Sequence, residues 1–203
     1  MQSFDEAVRV WSKAADQGHA PAQSNLGVMY ANGRGVKQSF DEAMRWDRKA
    51  ADQGQAQAQH NLGVMYANDQ GVKQSFDEAV RWYRKAADQG HAQAQYNLGV
   101  MSANDEGVKQ SFEDAVRWCR KAADQGFAAA QSNLGVMYEN GQGVKKSFEE
   151  AVRWFRKAAD QGHASAQYNL GIMYENGQGV RQSFEEAARW FCKAADQGHA
   201  GAE

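Results

Sequence analysis

Five histidines and a column of tryptophans are the residues of this chain with the most chemistry to offer. Imidazole binds transition metals and exchanges a proton near neutral pH. His19, His91, His163 and His199 each follow an Asp-Gln-Gly, one per turn of a regular pattern. Metal ligands must converge within a few ångströms, and a ladder of this kind does not converge. Solvated turns are the expected role. His60 stands apart, within a predicted helix. Trp46, Trp82, Trp118, Trp154 and Trp190 could cage a cation. The same spacing serves a bulky residue that packs one helix onto its neighbours, and this role is expected. Asp and Glu recur beside Arg and Lys as surface ion pairs rather than as an acid/base pair. Gly33-Arg34-Gly35 is a weak phosphate signal, because no strand precedes it. Cys119 and Cys192 fall at different points of the pattern, beyond disulfide reach in stacked helices. Cys119 takes an apolar slot and is expected to be buried; Cys192 takes an Arg slot and is expected to be accessible. No catalytic residue, metal site or cofactor is expected, and the chain reads as a non-enzyme.

The elements that carry these residues come from a period of 36. Ser-Phe-(Asp/Glu)-(Asp/Glu)-Ala begins at Ser3, Ser39, Ser75, Ser111, Ser147 and Ser183, and Asn-Leu-Gly begins at Asn25, Asn61, Asn97, Asn133 and Asn169. A fixed period in this range marks a repeat array in which each unit packs mainly on its neighbours. Ser39 with Glu42 reads as a reciprocal capping box opening a helix B. Acidic residues lead that helix and basic residues close it, as the helix dipole favours, and Asp41 and Arg45 are spaced as an ion pair. Phe40, Ala43, Met44, Ala50 and Ala51 share one face, and Gly54 ends the helix. A second helix, A, spans Pro21 to Asn32, with Ala22, Leu26, Met29 and Tyr30 as its apolar stripe. Gly27 in mid-helix predicts close helix approach. Gly33, Asp69, Asp105, Gly141 and Gly177 share one turn slot, which predicts a left-handed backbone there.

The fold class expected is therefore all-α: eleven helices in a solenoid of 36-residue helix-turn-helix units. Residues 1–203 read as one array, with a half repeat at 1–18, full repeats at 19–54, 55–90, 91–126, 127–162 and 163–198, and the start of another at 199–203. Both ends cut the repeat mid-phrase. A fragment of a longer array is expected, with apolar surface around Phe4, Val8 and Val10 that favours end-to-end self-association.

The runs Ala-Gln-Ser-Asn-Leu-Gly-Val-Met-Tyr-Ala-Asn-Gly-Arg-Gly-Val (Ala22 to Val36) and Ala-Val-Arg-Trp-Tyr-Arg-Lys-Ala-Ala-Asp-Gln-Gly (Ala79 to Gly90) closely resemble Sel1-like repeats, relatives of tetratricopeptide repeats. The resemblance covers essentially the whole chain. It implies a right-handed superhelix of antiparallel helix pairs with A helices on the concave side. It also implies adaptor or scaffold roles in bacterial signalling, secretion and host interaction, or in endoplasmic-reticulum quality control. The cysteine-rich branch of the family, some members of which are linked to penicillin binding or hydrolysis, has paired cysteines that this chain lacks. β-Lactam binding therefore rests on analogy alone. Val10 and Asp47 break the Trp-Tyr ending of their B helices. Asp47 has two readings, an uncompensated polar residue on the apolar face or a carboxylate that reaches solvent or an Arg. The second is favoured, because an unpaired buried charge is costly.

The partner expected on a repeat surface of this kind is a protein or an extended peptide. The net charge is −2, from 23 basic and 25 acidic side chains, which gives no push toward nucleic acid or an anionic membrane. No apolar run reaches the ~20 residues that span a bilayer, and no signal peptide precedes the repeats. The compartment stays open. Helix A has a face opposite its core stripe, and three columns on it form the expected concave binding surface. The variable column is Ser24, His60, Tyr96, Ser132 and Tyr168; the amide column is Asn25, Asn61, Asn97, Asn133 and Asn169; the apolar floor is Val28, Val64, Val100, Val136 and Ile172. The asparagines can hold a ligand backbone or bond an adjacent helix, and the valines can floor a groove or be covered by the next unit. A structural spacer without a groove ligand is the alternative from another class.

Overall fold

A computed structural model of the chain describes residues 4–197. Ser3, His199 and the start of a further repeat at 199–203 lie outside the described residues. Eleven helices and no strand are found among the described residues. The B helices are α1 (Phe4–Asp16), α3 (Phe40–Asp52), α5 (Phe76–Asp88), α7 (Phe112–Asp124), α9 (Phe148–Asp160) and α11 (Phe184–Ala195). The A helices are α2 (Ala20–Asn32), α4 (Ala56–Ala67), α6 (Ala92–Asn104), α8 (Ala128–Asn140) and α10 (Ala164–Asn176). They fall in two compact units. One holds the residues up to Gln95 with Glu106–Lys109, the other Tyr96–Asp105 with the residues from Gln110 on.

Each B helix starts where the sequence predicts, but its cap differs in one half. Ser39 Oγ accepts from the Glu42 backbone N–H at 3.3 Å, one of the helix-start donors that needs a partner. The expected return bond from Glu42 to the Ser39 N–H is not made. That N–H donates instead to Tyr30 O of α2 at 3.0 Å, which ties the start of B to the preceding A helix. Glu42 is thereby free for Arg45, at 2.7 Å. The surface pair is thus Glu42–Arg45 at i,i+3, not Asp41–Arg45 at i,i+4. The same i,i+3 pair recurs at Glu78–Arg81, Asp114–Arg117, Glu150–Arg153 and Glu186–Arg189.

The A-to-B turn is left-handed as expected. Gly33 has φ 65°, and Asp69 and Asp105 adopt φ 57° and 62° in the same slot. The core is a row of leucines flanked by alanines: Leu26, Leu62, Leu98, Leu134 and Leu170 are at most 1% exposed. Alanine at Ala43 and Ala50, both fully buried, lets the helices approach, and the tryptophans fill the space between successive pairs. Trp82 packs with Leu62 and Ala50, and Trp190 with Leu170 and Ala158. Lys49, Lys85, Lys121, Lys157 and Lys193 each lay an ammonium over the outer ring face, 4.1–4.4 Å from the centroid. The tryptophans are packing residues, and a cation of the same helix takes the ring face that a cage would need.

Candidate binding face and the Asp47 cavity

The variable column does not point away from the core as its position on helix A suggested. Ser24, His60 and Ser132 are buried, and Tyr96 and Tyr168 are half-buried. The reason is the B helix of the same repeat. Ser24 Oγ donates to Asp47 Oδ1 at 3.3 Å; the rings of His60 and Tyr83 lie 5.7 Å apart, and those of Tyr168 and Phe191 5.5 Å apart. Tyr96 leans on Phe127 at 5.3 Å. A variable B slot, filled by Asp47, Tyr83, Cys119, Phe155 and Phe191, thus faces the variable A column. The mid-helix glycines make room for it: a Cβ on Gly63 would stand 2.5 Å from the Tyr83 ring, and one on Gly27 2.7 Å from the Asp47 carboxyl carbon.

The amide column reaches back across one repeat. Asn61 Nδ2 donates to Asp47 Oδ1 at 3.1 Å, and Asn133 shares a hydrogen bond with the Tyr96 hydroxyl. Asn25 is exposed; Asn61, Asn97, Asn133 and Asn169 are half-buried. The apolar column is open to the same degree. Val28 is 38% exposed, and Val64, Val100, Val136 and Ile172 are half-buried.

Asp47 is 1% exposed, so the expectation that it reaches solvent or an Arg is overturned. The helix-to-helix contact at Gly27 seals it, and Arg48 next to it turns outward to the Tyr66 hydroxyl at 2.9 Å. Ser24 and Asn61 both donate to Oδ1, whereas Oδ2 is buried with no hydrogen-bond partner. Burial pushes the Asp47 carboxyl up to about 7, against the opposing pull of the Asn61 and Ser24 bonds. Burial, with His91 beside it, pushes His60 down to about 4; the two imidazoles stack at 4.8 Å. A cavity of about 550 Å³ opens between α2 and α4, with Asp47, Gln57, Asn61, Val28 and Val64 among its walls.

Two networks escaped the sequence reading. Gln53, Gln89, Gln161 and Gln197 each donate to a glutamine thirty residues earlier, at 2.7–2.8 Å. Gln23 in turn donates to Ala15 O of the preceding B helix at 3.0 Å, so one buried amide links three helices. Arg48, Arg120 and Arg156 bond the hydroxyls of Tyr66, Tyr138 and Tyr174 of the next A helix. The clue was present in the invariant Gln of Ala-Gln and of Asp-Gln-Gly, but a glutamine on a helix reads equally well as surface. The thiols behave as expected: Cys119 is buried and Cys192 exposed, and burial pushes Cys119 up to about 12.

Paired helices on a 36-residue period, held by repeated cross-repeat bonds, define a helical repeat protein of the tetratricopeptide-like class. The Sel1 repeat model matches at residues 2–19, 20–55, 56–91, 92–127, 128–163 and 164–199, and the chain belongs to the Sel1 repeat family. It is similar over its whole length to a protective antigen of uropathogenic Escherichia coli displaying an SLR fold, with 38% identity and a TM-score of 0.93; it spans 43% of that protein's length. A Sel1 repeat protein from Oxalobacter formigenes matches 100% of this chain and is covered over 86% of its own, at 32% identity and a TM-score of 0.88. Cysteine rich protein B of Helicobacter pylori, at 23% identity and a TM-score of 0.51 over 63% of this chain and 91% of its own, shares the fold alone. None of the curated proteins compared matches this chain. Sel1 repeat proteins are generally protein-interaction scaffolds and typically not enzymes. Among the described residues no helix is long and apolar enough to cross a membrane.

Proposed function

We propose that this chain is a non-enzymatic scaffold that binds an extended, neutral to mildly basic peptide segment on the A-helix face that carries the variable, asparagine and apolar columns. The observation that carries the reading is the set of apolar residues beside the asparagines on the A helices: Val28 is 38% exposed, and Val64 in the same unit and Val100, Val136 and Ile172 in the other keep part of their surface open. Apolar area flanked by a few placed polar groups is what a peptide site needs. Helix A carries only two acidic side chains on this face, Glu139 and Glu175. Burial raises the Glu139 carboxyl, against Lys146 nearby. Tyr96 and Tyr168 add aromatic contact area, and the exposed Asn25 offers an amide to a ligand backbone. The test uses a partner peptide identified by cross-linking to the full chain. Val100→Asp and Ile172→Asp should weaken its binding at least tenfold, by calorimetry, with helicity unchanged. Unchanged affinity in both would move the contact off this face.

A second reading, self-association, is supported by α1 and α11. Phe4 is 57% exposed, Val10 56% and Phe184 68%, whereas Val8 is half-buried. Large apolar side chains this open favour burial against another copy. Sedimentation that stays monomeric into the millimolar range would remove it.

A further inference from the structure

We infer that a shallow groove on α5 reads a glutamate side chain in an extended segment of a protein partner, with Arg84 as the residue that takes the carboxylate. This is a second surface, on a B helix. It takes a segment of different charge from the one proposed for the A helices, and neither reading depends on the other.

The groove follows from local rules. Asp77, Val80, Arg81, Arg84, Lys85 and Asp88 fall at helical spacing on one face of α5. The facing wall is the turn at Gly107 and Val108, in the same compact unit. Gly107 lets that turn lie on the start of α5, because a Cβ there would stand 2.5 Å from the Phe76 carbonyl carbon and oxygen. Helix and turn border a volume of about 450 Å³, with Val80 and Val108 as its apolar part.

Its cations are not equivalent. Arg81 is held by Glu78 at 3.3 Å, and Lys85 lays its ammonium over the Trp82 ring, 4.2 Å from the centroid. Arg84 is exposed and, among the described residues, has no hydrogen bond, ion pair or ring contact. Its counterparts are occupied. Arg48, Arg120 and Arg156 each bond the tyrosine hydroxyl eighteen residues on. Eighteen residues on from Arg84 the sequence has Ser102, which carries no phenol. A groove on α9, in the other unit, has Arg153, Arg156 and Lys157 along it and a volume of about 420 Å³, but there Tyr174 takes Arg156. The two grooves share their residue pattern and differ in whether the middle arginine is free.

A free guanidinium fits a carboxylate, which it holds through two parallel N–H donors. Asp77 and Asp88 confine that carboxylate to the middle of the groove. They stand at the two ends of the face, ~16 Å apart along the helix, and among the described residues neither pairs with Arg84. This span is the reach of about five extended residues. The occupant is therefore a five-residue stretch with one central glutamate, apolar neighbours against Val108, and no acid at either end.

The experiment titrates the full chain at pH 7 and low salt with the peptide Ac-Gly-Val-Glu-Val-Gly-amide, reading the arginine Nε–H signals and the Val108 methyls by NMR. The expected result is a saturable shift of Arg84 and Val108, with a Kd on the order of millimolar, as suits one exposed ion pair on a short ligand. Arg156 should not move. The peptide with glutamine for glutamate should bind about fivefold or more weakly. Arg84→Gln should abolish the Val108 shift with helicity unchanged, and Arg84→Lys, which keeps the charge and loses the fork, should recover only part of it. A peptide with glutamate at all five positions should bind no tighter, because Asp77 and Asp88 meet its ends. No saturable shift, a Val108 shift retained in Arg84→Gln, equal binding of the glutamine peptide, or an equal shift at Arg156 overturns the inference. So does tighter binding of the all-glutamate peptide, or inorganic phosphate that shifts Arg84 at the same concentration, since either would make the groove a general anion contact.

Discussion

The slots at Asp47 and Phe155 have matching surroundings and opposite outcomes. Each has a buried serine at the matching position of its A helix, Ser24 or Ser132, and each lies against a mid-helix glycine, Gly27 or Gly135. Phe155 is fully buried, and its ring sits 2.6 Å from where a Cβ on Gly135 would stand. Asp47 is as well buried, but it leaves a cavity beside it and one carboxylate oxygen without a partner. The backbone, capping serines, leucine row and glutamine bonds are common to both. The repeat frame therefore tolerates a change of chemistry in this slot, and the cost of the change stays local because each repeat packs mainly on its neighbours.

The largest test of this contrast is to make the two slots alike. Phe155→Asp should cost about 4 kcal/mol or more at pH 8, from the lost ring and the new buried charge, read by urea unfolding. A loss under about 1 kcal/mol would mean that the Phe155 slot relaxes far more freely than its close packing implies.

Next in size is Asp47→Asn, with the opposite sign. The Asp47 carboxyl titrates near 3.8 when unfolded and about 7 when folded. The fold therefore prefers the protonated form. Its stability contribution is complete below about 3.8 and is lost as the pH rises through about 7. Asp47→Asn should thus melt higher than the natural chain at pH 8, by an amount on the order of 3 kcal/mol, and the two should converge near pH 4. Equal melting at both pH values would mean that Asp47 ionises without penalty.

Tyr96→Ala sharpens the comparison from the A side. Tyr96 is half-buried against Phe127 and bonded to Asn133, so the melting temperature should fall, with a cost of about 1–3 kcal/mol. Tyr96→Phe should recover most of it. An unchanged melting temperature would return this column to the outward-facing role that its helical position suggested.

Helix positions, turn slots and thiol burial could be read from the sequence, because period, caps and left-handed turns are local. Gly33 and Asp69 share a turn slot for a reason that is visible in their own φ preferences. The pairing of Ser24 with Asp47 is not local. It depends on how α2 lies over α3, and helix A has its leucine stripe and its variable column only a residue or two apart. A wheel assigns such a boundary column to either side. Asp47 misled for a related reason: avoidance of a buried charge is a sound average rule, and here the glycine contact overrides it.

The smallest effect belongs to the constant surface. Arg81 pairs with Glu78 at 3.3 Å, with side chains 65% and 37% exposed. Its helix also carries Tyr83, two residues on, which is buried against Gly63. If the array concentrates its energetics in the variable slots, Arg81→Ala should shift stability by no more than about 0.5 kcal/mol, as open ion pairs do. Tyr83→Ala on the same helix should cost about 3 kcal/mol or more. Both can be read from one set of urea curves at moderate salt, where screening further reduces the Arg81 effect. The pair recurs on every B helix from α3 to α11, and its regularity invites the idea that it holds the array together. A ratio of the two costs near one would support that idea and would place the stabilising contacts on the surface, not in the slots where the repeats differ.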